Sequence, residues 1–248
     1  MSKKIVITLL YALILVTLVN FTVISEPPSN TGALPPPVKE SSVSIDKLIS
    51  DLAKQDITTD GFWKTVAEIE AVGKDGLAKL AIGLENPEPR VRVGCARAMY
   101  LLGYREESVK ALISVLSLSA KQADNTVFSA AAEVLGNLIS SDGGAGEIDR
   151  SDLSKKVQSI LDGTLEASRR LWLAKLWYEV DGSSLAREEV RGISKLKDPD
   201  IRLSAALVLA SMNDFERSKD ILKTLSLDPT PTGRLARVFL QYKEAQDS

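Results

Sequence analysis

Apolar residues recur along most of the chain at the spacing of a helix that buries one face. Ile45, Leu48, Ile49 and Leu52 lie at i, i+3, i+4 and i+7, and similar spacing returns as far as Tyr242. Glycine or proline interrupts it at intervals, as expected where helices end. No stretch shows the alternation of apolar and polar residues between hairpin turns that is typical of strands. The pattern therefore predicts an all-α fold.

The predicted helices group into about six pairs, each joined by a short turn. The pairs span residues 43–73, 75–103, 106–139, 151–182, 184–212 and 215–245. Gly73, Gly103 and Gly182 are expected to end helices. Because one pair cannot bury its own apolar face, the pairs are expected to stack around a continuous core. This is the architecture of an α-solenoid.

Two of the second helices begin with the same phrase. In residues 86–96 it reads Asn-Pro-Glu-Pro-Arg-Val-Arg-Val-Gly-Cys-Ala, and in residues 198–206 it reads Asp-Pro-Asp-Ile-Arg-Leu-Ser-Ala-Ala. The phrase resembles the HEAT repeat, in which an Asp/Asn-Pro turn precedes Val-Arg-x-x-Ala-Ala on the second helix. The resemblance implies that residues 43–248 form HEAT-like helix pairs whose second helices line a concave face.

The resemblance also implies structural roles for the repeated residues. Arg92 and Arg202 would bond turn carbonyls or an aspartate of a neighbouring repeat, and Cys95 would fill a small-residue position between helices. Phe128 replaces the arginine in the third pair, and Ser168-Arg169-Arg170 allows two registers in the fourth. The motif residues are therefore expected to hold the scaffold together, which leaves function to residues that do not repeat.

The N-terminal segment predicts a membrane anchor. Residues Ile5–Ile24 carry no charge and would span about 30 Å as a helix, the thickness of a bilayer core. Lys3 and Lys4 precede the run, so the N-terminus is expected to stay in the cytoplasm. A cleaved signal peptide is the alternative, although its apolar core is usually shorter and no Ala-x-Ala site is present. Residues 1–25 are thus a predicted signal anchor.

Both interpretations place the rest of the chain outside the cytoplasm. It would be periplasmic in a Gram-negative cell, and secreted if the segment is cleaved. Residues 26–42 hold five of the ten prolines, including Pro35-Pro36-Pro37. Such a composition cannot build a core and favours an extended spacer. The predicted domains are therefore the anchor at 1–25, a linker at 26–42 and the repeat domain at 43–248.

Composition weighs against catalysis and against nucleic-acid binding. The chain has no histidine and one cysteine, so it lacks imidazole-based triads, intrachain disulfides and cysteine-based zinc clusters. The formal net charge is −2, without the basic excess that phosphate backbones require. Gly143-Gly144-Ala145-Gly146 lacks the lysine of a phosphate-binding loop and indicates a linker. We expect no catalytic residue, cofactor or metal site.

Pairs of acidic residues have a structural interpretation. Glu106-Glu107 and Glu188-Glu189 lie near predicted helix starts, where negative charge complements the helix dipole. Asp198 and Asp200 are assigned to the turn of the repeated phrase.

One second helix carries the best candidate for partner binding. It combines Arg169, Arg170, Trp172 and Lys175, and arginine and tryptophan are favoured interface anchors. In the alternative interpretation, Trp177 belongs to the core, the arginines form a solvated face and Trp172 is partly covered. Exposed residues of second helices could meet a partner on the concave face.

The sequence therefore predicts a non-enzymatic, membrane-anchored scaffold that binds a partner protein through a HEAT-like array. An alternative is an accessory module of an extracytoplasmic enzyme such as a protease, acting in trans or fused to it. A weaker alternative is a lyase, because some HEAT-like repeat proteins resemble phycobilin lyases. The partner itself is not identified by the sequence.

Overall fold

A computed structural model describes residues 44–119, 124–141 and 148–246, and these residues form helices without any strand. In chain order the α-helices are α1 (Ile45–Leu52), α2 (Asp60–Val72), α3 (Leu77–Leu84), α4 (Pro89–Leu101), α5 (Arg105–Ser119), α6 (Asn125–Ser141), α7 (Arg150–Asp162), α8 (Ala167–Asp181), α9 (Ser184–Ile193), α10 (Pro199–Ser211), α11 (Phe215–Ser226) and α12 (Pro231–Gln246). A short 3-10 helix, Gly73–Gly76, precedes α3. The prediction of an all-α fold is confirmed.

The helices pack as consecutive pairs, from α1 with α2 to α11 with α12. Each pair matches one of the six predicted units to within two residues at either end. The second helices of the pairs also contact one another in order, from α2 through α4, α6, α8 and α10 to α12. From Ile45 onward the chain forms one compact unit. This packing is compatible with an α-solenoid.

Local signals end and begin the helices as the sequence predicts. Gly73, Gly103 and Gly182 have φ angles of 68°, 96° and 70°, a left-handed region that glycine enters without a steric penalty. Pro199 occupies the first turn of α10, and the Asp198 carboxylate before it accepts hydrogen bonds from the backbone N–H groups of Asp200 and Ile201 in the same turn. The repeated phrase therefore marks the start of a second helix.

Small residues in the repeated phrase allow close helix contacts. Cys95 and Ala96 are completely buried in α4. A Cβ placed on Gly83 of α3 would overlap the Cys95 sulfur, so glycine is required for this approach. Burial raises the pKa of Cys95 to about 12, which keeps the thiol protonated and unreactive. The predicted structural role of Cys95 fits this environment.

Three predicted segments lie outside the described residues. They are the anchor at Ile5–Ile24, the linker at 26–42 and the glycine-rich run Gly143–Gly146. Across the residues that are described, no helix combines the length and the apolar character needed to cross a membrane.

Candidate functional site

Helix α8 carries the four predicted binding residues, and their side chains contact different neighbours. Successive residues of an α-helix point about 100° apart, so Arg169 and Arg170 cannot share a face. Arg169 turns toward the start of α6, and Arg170 toward α9. Trp172 and Lys175 stay together, with the Lys175 ammonium 6.0 Å from the centroid of the Trp172 ring. The four residues therefore form three local arrangements rather than one patch.

Arg169 is buried and ties α8 to α6. Its Nε donates a hydrogen bond of 2.6 Å to Asn125 Oδ1, and its guanidinium lies 5.4 Å from the centroid of the Phe128 ring. Glu166 lies 3.2 Å from the same nitrogen. The sequence predicts that Arg169 is accessible to a partner, but only 6% of its surface is exposed. Its contacts indicate a role in stacking the third pair against the fourth.

Arg170 joins the turn of its own pair to the first helix of the next pair. Its Nη1 donates hydrogen bonds to the carbonyls of Leu161 and Thr164, at 3.0 and 2.7 Å. Its Nε donates to Glu189 Oε1 at 2.7 Å, a bond that raises the pKa of Arg170. A guanidinium suits this role because its donors point in several fixed directions.

Arg170 makes the bonds to turn carbonyls that the HEAT resemblance implies for Arg92 and Arg202. The prediction is wrong for Arg92, whose Nη1 lies 3.4 Å from Ser114 Oγ in α5 instead of a turn carbonyl or an aspartate. Its Nε is buried without a hydrogen-bond partner, and burial lowers the pKa of Arg92. In the register set by the helix starts, Arg170 occupies the position of Arg92, which resolves the two registers of the fourth pair.

The remaining arrangement lies on a strip that runs across the second helices. Lys175 Nζ bonds Glu179 Oε1 at 2.5 Å and lies over Trp172. In the first two pairs, Arg97 likewise bonds Glu70 Oε1 at 3.0 Å and lies 5.5 Å from the centroid of the Trp63 ring. Both tryptophans are partly buried against the core.

We call this surface the second-helix strip. It consists of Trp63, Glu70, Arg97, Leu101, Glu133, Asn137, Trp172, Lys175 and Glu179. Leu101 and Asn137 lie one helical turn beyond Arg97 and Glu133 on the same faces, and both are exposed. Lys175 is buried, which differs from the exposure expected of it.

Two carboxylates of the strip are buried without enough positive charge or hydrogen-bond donors to compensate for the loss of water. Burial raises the pKa of Glu133 to about 7, with Lys175 opposing the shift and Glu179 adding to it. Glu179 Oε2 is buried without a hydrogen-bond partner. It lies over Gly136, where a Cβ would overlap it. Glu133 therefore gains or loses a proton near neutral pH beside a single ammonium group.

A second surface lies between α7 and α9, and α8 also lines it through Ala167, Arg170 and Trp177. It is an open groove of about 590 Å³ whose walls include the exposed Leu165, Leu185 and Leu196. Trp177 also reaches this groove, but it is 7% exposed and packs in the core, as the alternative interpretation expects. Sequence reasoning missed the groove because two of these leucines lie in turns and the third lies at the start of α9.

The predicted placement of Glu188 and Glu189 is wrong. Helix α9 begins at Ser184 and has no acidic residue in its first turn. The two glutamates lie further along, where Glu188 pairs with Arg191 and Glu189 with Arg170. The field of the helix dipole falls off within one turn, so these side chains respond to their ion pairs. By contrast, Glu106 and Glu107 lie in the first turn of α5, as predicted.

Within the described part of the chain, no cluster of three or more carboxylate or cysteine side chains has the arrangement of a metal site. The strip and the groove combine half-buried tryptophans, paired charges and exposed leucines, which are side chains suited to recognising another molecule. No protein-family model matches the chain, and no curated protein shows significant similarity to it.

Proposed function

We propose that this chain is a non-enzymatic scaffold and that residues 43–248 form a HEAT-like α-solenoid. A partner protein binds on its concave face, which the second helices line. In support of this arrangement, the second helices contact one another in sequence and so form one layer of the unit. A continuous layer offers a partner more contact area than isolated helices do.

The observation that carries the proposal is the composition of the second-helix strip. It holds two partly buried tryptophans, each beneath a cation that is already paired with a glutamate. Tryptophan and arginine recur at the centres of protein interfaces, where neighbouring contacts exclude water. The exposed Leu101 adds apolar surface beside them. Fixed side chains of this kind lose little conformational entropy when they bind.

The proposal includes the membrane anchor at residues 1–25, which would hold the scaffold outside the cytoplasm. Its basis is the uncharged run Ile5–Ile24 behind Lys3 and Lys4. A reporter that is active only outside the cytoplasm, fused after Ser42, tests this part. Activity in the cytoplasm would contradict the proposed topology.

Affinity capture from the native cell tests the binding function. The bait is the full chain, and the test variant is Leu101→Lys/Asn137→Lys, which places two charges on exposed positions of the strip without touching the core. Leu227→Lys is the matched control, since Leu227 is 84% exposed and lies outside the strip. We expect one partner to be recovered by the wild type and the control and lost by the strip variant.

Two results of this capture would change the proposal. If wild type and strip variant recover the same proteins, the second-helix strip does not bind the partner. If the protein lost by the variant is an enzyme such as a protease, the chain is an accessory module of that enzyme.

A further inference from the structure

We propose that pH controls partner binding at the second-helix strip, where Glu133, Lys175 and Glu179 form a switch that favours the bound state when the Glu133 side chain carries a proton. This inference deepens the proposed function and rests on it, because the strip must bind a partner for the switch to act.

The strip holds one carboxylate more than its cations can pair. Arg97, Glu133 and Lys175 lie at equivalent positions of α4, α6 and α8, counted from the first residue of each helix, so they form one row across neighbouring second helices. Both cations of this row are bonded elsewhere, Arg97 to Glu70 at 3.0 Å and Lys175 to Glu179 at 2.5 Å. Within the described part of the chain, the Glu133 carboxyl is therefore left without an ion pair.

The charge of the strip changes when Glu133 titrates. The side chain is half-buried, and the loss of water raises its pKa to about 7, a shift that Lys175 opposes and Glu179 increases. At pH 6 Glu133 is mostly neutral, so the two cations of the strip balance its other two carboxylates. At pH 8 Glu133 is mostly ionised, and the strip carries one excess negative charge.

The charges that act on Glu133 come from one neighbouring helix. Glu133 is the single charged residue of α6, which packs against α4, α5 and α8. Lys175 and Glu179 of α8 supply the charges that shift its pKa. The other charged groups on these three helices that lie toward α6 or beside it are bonded elsewhere or exposed, namely Arg97, Arg105, Glu106, Glu107, Lys110 and Arg169.

Covering the strip links binding to this proton. A partner on the strip removes the remaining water from Glu133, and the ionised carboxylate loses more by this than the neutral acid does. The bound strip therefore holds its proton more firmly than the free strip, so binding tightens as the pH falls through the pKa of the free chain. The exposed Leu101 and the two tryptophans favour an apolar partner surface here. A partner cation would instead pair with ionised Glu133 and reverse the dependence.

Crosslinking from Leu101 at different pH values tests the switch. The full chain, with benzoylphenylalanine in place of the exposed Leu101 on α4, is titrated into a detergent extract of the native cell at pH 6, 7 and 8. The measured quantity is the chain concentration that gives half of the maximal crosslinked product. Glu133→Gln is the test variant, and Glu216→Gln is the matched control, since Glu216 is exposed on α11 and lies outside the strip.

We expect the half-maximal concentration of the wild type to rise about tenfold from pH 6 to pH 8, relative to that of Glu133→Gln in the same extracts. This comparison cancels any titration of the partner itself. Glu216→Gln should follow the wild type. Circular dichroism at each pH checks that all chains stay helical.

The remaining outcomes contradict the switch in distinguishable ways. Equal changes in the wild type and Glu133→Gln would overturn it and leave the proposed function standing. A relative fall from pH 6 to pH 8 would also overturn it, and would indicate a partner cation that pairs with ionised Glu133. If no product exceeds the background from benzoylphenylalanine at Leu227 at any pH, the switch and the proposed function both fail.

Discussion

Glu133 shows how one residue of the second-helix strip makes stability depend on pH. Burial raises its pKa from 4.5 to about 7, so the folded chain holds a proton that the unfolded chain has released between these values. Stability therefore falls as pH rises through this window, and it levels off above pH 7. The positive charge of Lys175 offsets part of the free-energy cost of burying the ionised Glu133 carboxylate, and the negative charge of Glu179 increases that cost.

Glu133→Gln should remove this dependence, because glutamine keeps the shape of the side chain without the charge. At pH 8 the variant should be more stable than the wild type by about 1–3 kcal/mol, and near pH 4.5 the two should be similar. Urea denaturation at pH 4.5, 6 and 8 measures the difference. Parallel pH profiles for the two proteins would show that Glu133 does not titrate in this range.

Arg170 is the residue that we expect to matter most for holding the fourth and fifth pairs together. Arg170→Ala removes the donor to Glu189 and to the Thr164 carbonyl, while the Leu161 carbonyl keeps its bond from the Thr164 N–H, so the substitution should destabilise the chain by about 2–4 kcal/mol. Arg170→Lys should recover only part of the lost stability, since an ammonium group cannot reproduce the forked arrangement of the guanidinium donors. Thermal or urea unfolding measures both. A loss no larger than that of the exposed Lys195→Ala would refute the assignment.

At the scale of elements, contacts between helices depend on small residues at defined points. Gly83 of α3 faces Cys95 of α4, and Gly94 of α4 faces Leu52 of α1 and Val66 of α2. Alanine has a higher helix propensity than glycine by about 1 kcal/mol, yet an added methyl group would overlap the Cys95 sulfur at Gly83 and would displace the end of the Leu52 side chain at Gly94. The distance between helices, rather than propensity, therefore decides which residue is tolerated.

A double-mutant cycle at Gly83 and Cys95 tests this packing. Gly83→Ala should destabilise the chain by about 1–3 kcal/mol through overlap with the buried sulfur. Cys95→Ala removes that sulfur, so the second substitution should cost less in the Gly83→Ala background than in the wild type. Additive losses in the cycle, measured by urea denaturation, would show that the two residues do not press on each other.

Sequence and structure agree best where the information is local. Gly182 ends α8 and Asp198 caps α10 because each acts on backbone groups within a few residues. The bonds of Arg170 could not be predicted in the same way, since they depend on where the Leu161–Thr164 turn and α9 come to lie. The groove has the same origin: Leu165 and Leu196 are 31 positions apart and meet only through stacking.

At the scale of the whole molecule, two layers of helices provide two kinds of surface. The second helices present paired charges over tryptophan, and the turns after α7 and α9, with the start of α9, present exposed leucines. The cations over the two tryptophans are already paired with Glu70 and Glu179, so a binding protein would gain mainly from apolar contact at those points. At the groove, the exposed leucines offer apolar contact, whereas Glu188 and Glu189 are already paired with Arg191 and Arg170.

Site-specific photo-crosslinking in the native cell tests the central claim, that the second helices bind a partner protein, most directly. Benzoylphenylalanine replaces Asn137, an exposed residue of the strip, and in a parallel chain it replaces Leu227. We predict a discrete crosslinked product at Asn137 that is absent at Leu227. The same products at both positions, or none at Asn137 above the Leu227 background, would contradict the claim.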